Sequence, residues 1–200
     1  MSSVEFRLAT PDDAGGMLAI YAPIIEETAI SFEDTVPALS EYRERFEEID
    51  GVFPVVVAVD GKRVAGFAYA GLHRVREAYR WSVETSVYVD PPLKRLGIGR
   101  GLYTTVFELL KAQNYANALA GITLPNDDSV KFHESMGFTR IGIYPGVGYK
   151  FGEWRDTEWW NYRLQDRSEP SEPVALSRLG DATVNAAIDK GMAFVRQATR

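Results

Sequence analysis

Residues 82–100 read SVETSVYVDPPLKRLGIGR, and the order strand, cationic glycine turn, helix within them decides the fold. Val83, Thr85, Val87, Tyr88 and Val89 mark residues 82–89 as a strand. Asp90-Pro91-Pro92 ends it, because proline has no amide hydrogen to give to a ladder. The window Lys94-Arg95-Leu96-Gly97-Ile98-Gly99-Arg100 then holds three cations and two glycines. Glycine lets the backbone approach a phosphate closely, and the free N–H groups of a helix start, with its positive dipole end, supply donors. Tyr103, Val106, Phe107 and Leu110 follow at helical intervals through residue 113. The turn is neither GxxxxGK followed by Ser or Thr nor GxGxxG, so a pyrophosphate-bearing carrier such as coenzyme A is the expected ligand.

Outward from this window the elements alternate. Residues 4–8 form a strand, and Thr10-Pro11-Asp12-Asp13 starts a helix carrying Met17, Leu18, Tyr21 and Ile25. Tyr42, Phe46 and Ile49 share one face of a helix over residues 40–49. PVVVAV (54–59) is a buried strand, Asp60-Gly61 a hairpin turn and residues 64–72 its antiparallel return. Downstream, residues 118–124 form a strand, Pro125-Asn126-Asp127-Asp128 caps a helix through Met136, and Gly137 closes it. Strands over 138–144 and 158–164 complete a mixed sheet of about seven strands flanked by helices, an α/β (α+β) domain over residues 1–165. DRSEPSEP (166–173) reads as a linker, and Val184, Ile188, Met192 and Val195 mark a terminal amphipathic helix within residues 166–200. That stripe suits packing on the parent domain, a dimer contact or a mobile tail. Gly191 inside it costs about 1 kcal/mol relative to alanine.

The 200 residues include no cysteine, which removes disulfides, thiolate zinc sites and a cysteine nucleophile. A formal charge of -6 argues against broad affinity for nucleic acid or anionic membranes, so a polyanionic ligand needs a locally positive pocket. The N-terminus lacks a cationic apolar signal, and the longest apolar run, 14–25, is too short to span a bilayer; a cytoplasmic protein is expected. There is no GxSxG elbow and no HExxH, and no metal is expected.

Residues 94–99 match the motif A pattern of the GNAT superfamily of N-acetyltransferases, with Lys94 where that pattern has Gln or Arg. The chain more closely resembles the phosphinothricin and methionine sulfoximine or sulfone N-acetyltransferases, through AISFED (29–34), AYRWSVETSVYVD (78–90), KRLGIGRGLYT (94–104), GITLPNDDSVKFHESMGF (121–138) and GYKFGEWRDTEWW (148–160). The resemblance runs from about residue 4 to 164. It implies the GNAT fold, acetyl-CoA as acetyl donor, a small amino-acid acceptor, a homodimer and a link to antibiotic or herbicide resistance. For the donor it implies pairing of pantetheine with the backbone of Val87 and Val89. The pyrophosphate falls to Lys94, Arg95, Leu96, Gly97, Ile98, Gly99 and Arg100, with Asn126 and Ser129 completing the groove.

Acetyl transfer from a thioester needs a neutral amine, a polarised carbonyl and a proton for the thiolate. By alternation alone Glu84 suits a solvent-facing strand position as well as a working carboxylate; the resemblance implies that it is the base. His133, in the setting FHE, resembles the second catalytic residue of these enzymes, either donating a proton or assisting the base, and its bland alternative is a half-buried structural imidazole. His73 has no such support and reads as structural. Arg74, Arg76, Tyr79 and Lys150 are candidates for the acceptor's acidic oxygens, Arg74 also suiting a solvated loop, and Phe32 for its aliphatic part. Trp154, Trp159 and Trp160 read as core or interface aromatics. The competing expectations are the same chemistry on a protein amino group, a polyamine or another xenobiotic, and a non-catalytic acyl-CoA sensor.

Overall fold

The computed structural model describes residues 4–166 and 169–198. Arg167 and Ser168 of the expected linker lie outside the described residues. Seven strands form one sheet: β1 (Val4–Leu8), β2 (Val55–Asp60), β3 (Arg63–Leu72), β4 (Ser82–Val89), β5 (Asn117–Thr123), β6 (Thr139–Lys150) and β7 (Glu153–Arg163), in the order β1-β2-β3-β4-β5-β7-β6. Every neighbouring pair is antiparallel except β4 and β5. Among the described residues five α-helices cover it: α1 (Ala14–Glu27), α2 (Leu39–Ile49), α3 (Ile98–Ala112), α4 (Asp127–Met136) and α5 (Asp181–Ala198).

The apolar run of β2 is continuous because both of its faces are covered. Val56 and Ala58 join the cluster of Leu102, Val106 and Leu110 from α3, while Val55 and Val57 meet Met17 and Ile20 of α1 and Phe46 of α2. The tail belongs to the first of these layers. Leu176, Ala187 and Val195 are buried in the same cluster as α3. Where α5 crosses α3, a Cβ on Gly191 would sit 2.1 Å from Thr105 Oγ1 and 2.5 Å from the Gly101 carbonyl oxygen, and one on Gly101 would sit 2.6 Å from the Gly191 oxygen. The glycine that weakens α5 as an isolated helix is therefore what lets it approach. The segment before α5 is fastened too: Arg80 pairs with Glu172, the Trp81 indole donates to the Ser171 carbonyl at 2.9 Å, and Gln113 donates to that of Val174 at 2.8 Å.

Two strands run further than expected. Residues 138–144 and 158–164 are parts of a long hairpin, β6–β7, which continues through Pro145-Gly146 by a bulge between Tyr144 and Gly148. Gly146 takes φ 55° there, and its N–H donates to Asp156 Oδ1 at 2.8 Å. The hairpin turns at Phe151-Gly152, both with positive φ, as a two-residue turn between right-twisted strands requires.

Candidate active site

β4 and β5 pair over only three positions, Ser82 with Asn117, Val83 with Ala118 and Glu84 with Leu119, and then diverge. Beyond the last pair, β4 has lost its neighbour on that side. Thr85 fills the apex: its hydroxyl donates to the Leu119 carbonyl at 3.3 Å, and its own carbonyl accepts the Tyr103 hydroxyl of α3 at 3.2 Å. The two-residue period aims the N–H and C=O groups of Val87 and Val89 the same way as that carbonyl, into the gap. No strand among the described residues answers them, so the opening offers an unpaired strand edge to an extended ligand.

The cationic turn lies at the far end of this edge. Gly97 precedes α3 in the left-handed region (φ 81°), and Arg95 shares that sign (φ 66°). Helical bonding starts with the Gly101 N–H donating to the Gly97 carbonyl at 2.9 Å, so the N–H groups of Ile98, Gly99 and Arg100 have no helical acceptor. Gly97 has no side chain to cap them, and the first turn holds no acidic residue. Lys94 and Arg95 are exposed, with no ion-pair partner among the described residues. Arg100 departs from expectation. Its guanidinium donates to the carbonyl and hydroxyl oxygens of Ser135, at 3.1 and 3.0 Å, and lies 5.7 Å from the Phe194 ring centre, tying α3 to α4 and α5. Helical rotation turns position 100 away from the loop that its sequence neighbours belong to.

Across the gap, Asn126 caps α4 by accepting the Ser129 N–H at 3.2 Å, and His133 stands one turn further on, 5% exposed. Its Nδ1 is 2.8 Å from the Ser129 carbonyl oxygen, and its Nε2 is 3.2 Å from the Tyr103 hydroxyl. A carbonyl only accepts, so Nδ1 carries the proton and Nε2 is left as an acceptor. The single Tyr103 proton then has two takers, Nε2 and the Thr85 carbonyl. A third proton would complete every bond in this chain, but burial holds the imidazole below its ordinary pKa, with the Ser129 carbonyl opposing. His133 is thus a buried, neutral ring tied to Tyr103, and it does not touch Glu84.

Glu84 points to the opposite face of the sheet from Val83 and Thr85, and its side chain is 43% exposed. Its register partner on β3 is Gly71, where an added Cβ would meet nothing within 4 Å, so space opens beside the carboxylate. Glu84 Oε1 lies 2.8 Å from Nδ1 of His73, a histidine whose sequence setting suggests only a structural role. His73 packs edge-on against Tyr79 at 5.7 Å and Trp159 at 6.0 Å. Sequence offered one clue to it: His73 follows the strand that returns beside the Glu84 strand. Arg74, Arg76 and Tyr79 are exposed on the same β3–β4 loop. Tyr69 of β3 is raised by burial, and the Glu33 and Glu84 carboxylates push it the same way.

Two expected acceptor residues lie on β6 and the loop that crosses it. Phe32 is part of the α1–α2 connection and lies over Gly148, where a Cβ would come 2.3 Å from its ring. Lys150 is buried, with Nζ donating to the carbonyls of Ile25 and Ser31 at 2.7 Å each, and burial lowers its pKa. The ammonium expected at an acceptor oxygen is therefore a clamp that ties β6 to the end of α1 and to the connection after it. Trp160 is core, Trp154 is exposed, and Trp159 forms the wall behind His73.

The family model for an acetyltransferase (GNAT) domain matches residues 6–159. A phosphinothricin N-acetyltransferase of Streptomyces viridochromogenes is 37% identical over 86% of this chain and 94% of its own length. An L-methionine sulfoximine/L-methionine sulfone acetyltransferase of Salmonella typhimurium is 32% identical over 84% of this chain and 98% of its own length. Among solved structures, a GNAT superfamily phosphinothricin acetyltransferase from Sinorhizobium meliloti, in complex with acetyl-CoA, superposes with a TM-score of 0.81 at 31% identity, covering 90% of this chain and 98% of its own. Split strands, an uncapped cationic helix start and likeness along most of the chain agree: the chain belongs to the GNAT family of acetyltransferases.

Proposed function

We propose that the protein moves the acetyl group of acetyl-CoA to the amino group of a small amino acid of the phosphinothricin, methionine sulfoximine or methionine sulfone kind. The observation that carries this reading is the conjunction of an unpaired β4 edge, ending at an uncapped cationic helix start, with an accessible carboxylate at the point where the strands part. The acceptor class rests on the relatives that bear those names.

In this reading the pyrophosphate is held by the N–H groups of residues 96–100 and by the cations of Lys94 and Arg95. The pantetheine arm pairs with the backbone of Val87 and Val89, and Asn126 and Ser129 bound the groove. Arg100 and Lys150 keep the structural tasks that their bonds define. Glu84 takes a proton from the acceptor's ammonium group, the freed amine attacks the thioester carbon, the carbon–sulfur bond breaks, and the proton lost by the new amide balances the one gained by the thiolate. An amine with a pKa one to three units above pH 7 costs about 1.4–4 kcal/mol to deprotonate, which is why a carboxylate at this point matters. Arg74, Arg76 and Tyr79 meet the acceptor's acidic oxygens, and Phe32 its aliphatic part. His133 acts through Tyr103, fixing the hydroxyl whose one proton Nε2 and the Thr85 carbonyl share at the apex.

The working unit in this reading is a cytoplasmic homodimer. The β6–β7 hairpin exposes Ile141, Tyr144, Val147 and Tyr149 on the edge strand β6 and Trp154 beside them on β7, apolar surface that a second copy would cover. The test is incubation with acetyl-CoA and a panel of amino-acid analogues, peptides and polyamines, following free thiol. Thiol release with the amino-acid analogues is expected, and none with any of them refutes the acceptor class. Glu84→Gln is expected to lower kcat about a hundredfold, with acetyl-CoA affinity within about twofold.

A further inference from the structure

A base on a strand edge works only if its carboxylate is aimed, and a half-exposed glutamate has several rotamers of similar energy. Glu84 is aimed by one contact. His73 follows β3 directly, two residues after Gly71, the register partner of Glu84, so the imidazole reaches the carboxylate diagonally across the strand pair. An ionised carboxylate only accepts, so Nδ1 of His73 carries the proton in this bond. The ring is itself fixed, with its edges meeting Tyr79 from the β3–β4 loop and Trp159 from β7. Trp159 is seated in turn on Gly121 of β5, where a Cβ would lie 3.5 Å from the indole. The side chain of His73 is 12% exposed and that of Glu84 43%, so the donor is the sheltered member and the carboxylate the open one.

We propose that His73 is the positioning residue of Glu84, donating from Nδ1 to Oε1 so that Oε2 faces the acceptor's ammonium group. The inference rests on the reading of Glu84 as the base, and it joins the acceptor-holding loop to the chemistry: Arg74, Arg76 and Tyr79, which meet the acceptor, are continuous with the residue that aims the base. The vacant position at Gly71 leaves the route to Oε2 open.

The test is a cycle of His73→Phe and Glu84→Gln, singly and together, with His73→Asn as the conservative variant. Phenylalanine keeps a ring between Tyr79 and Trp159 but removes the donor, whereas asparagine keeps an N–H close to the place of Nδ1. His73→Phe is expected to lower kcat about tenfold, with the KM for acetyl-CoA and the melting temperature nearly unchanged. His73→Asn should retain about a third of the wild-type kcat, and in the Glu84→Gln background His73→Phe should cost less than about twofold more. An undiminished kcat in His73→Phe overturns the inference. So does an equal loss in the Glu84→Gln background, which would mean independent action. If His73→Phe loses fold and acetyl-CoA binding together, His73→Asn decides: loss of kcat with fold intact and no rescue also refutes the donor role. Failure of the base reading looks different, because Glu84→Gln alone would then keep its turnover.

Discussion

Replacing Gly191 by alanine sets two physical effects against each other, and their balance tests how α5 is seated. In an isolated helix the change is favourable by about 1 kcal/mol, since alanine loses less conformational freedom. In the folded protein the new methyl group would lie 2.1 Å from Thr105 Oγ1 and 2.5 Å from the Gly101 carbonyl oxygen, and the second is backbone of the first turn of α3 that cannot swing aside. Overpacking of this sort costs about 1–3 kcal/mol, and contact with helix backbone on one side belongs at the upper end. A net destabilisation of about 2 kcal/mol is expected, which for a chain of this size lowers the melting temperature by about 4–8 °C. Urea denaturation followed by tryptophan fluorescence measures it, with the slope of the transition showing whether the native state has loosened. Thr105→Ala in the Gly191→Ala background should recover part of the loss, because it removes one of the two obstacles. A Gly191→Ala protein as stable as the parent, or more so, would refute this seating of α5 on α3.

Arg95 and Arg100 lie five residues apart in one cationic window and are expected to behave differently. Arg95→Ala should weaken acetyl-CoA binding about fivefold by calorimetry, an effect that fades with salt. Arg100→Ala should change the affinity less than about twofold while costing about 0.5–1 kcal/mol of stability, since its partners are Ser135 and Phe194. The pH dependence of folding should carry the signature of His133. Burial holds the folded imidazole below its ordinary pKa of 6.5, so the unfolded chain binds the proton more readily. Its contribution to stability is complete above about pH 6.5 and is lost as pH falls below that, by up to about 1.4 kcal/mol per pH unit. Denaturation midpoints for the parent and His133→Phe between pH 7.5 and 5.5 measure it. Equal slopes in the two proteins would refute the neutral buried state.

What could be read from the sequence follows from which forces act locally. β4 was legible to the residue because alternation and Asp90-Pro91-Pro92 are both local, and α4 because Asn126 and Gly137 mark its two ends by themselves. The β6–β7 hairpin was read too short because Pro145-Gly146 ordinarily ends a strand, whereas here a bulge, fixed by Asp156 from the partner strand, carries the ladder past them. The glycine turn was legible as the uncapped start of α3, but helical phase directs Arg100 to Ser135. Lys150 was read as an open cation because nothing in the residues near it foretells two carbonyls contributed by Ile25 of α1 and by Ser31 after it. The pairing of His73 with Glu84 depends on the β3–β4 register across a connection whose length fixes no turn type, so it became visible only with the sheet assembled.

The ion pair of Arg80 with Glu172 and the indole bond of Trp81 bear on laboratory practice. Trimming the polypeptide after residue 165 would remove the anchorage beneath the loop that carries Arg74, Arg76 and Tyr79. A shortened version would carry that loop without its fastening and leave α3 without the cover of Leu176, Ala187 and Val195. If the loop meets the acceptor as proposed, acceptor preference is best surveyed with the tail in place.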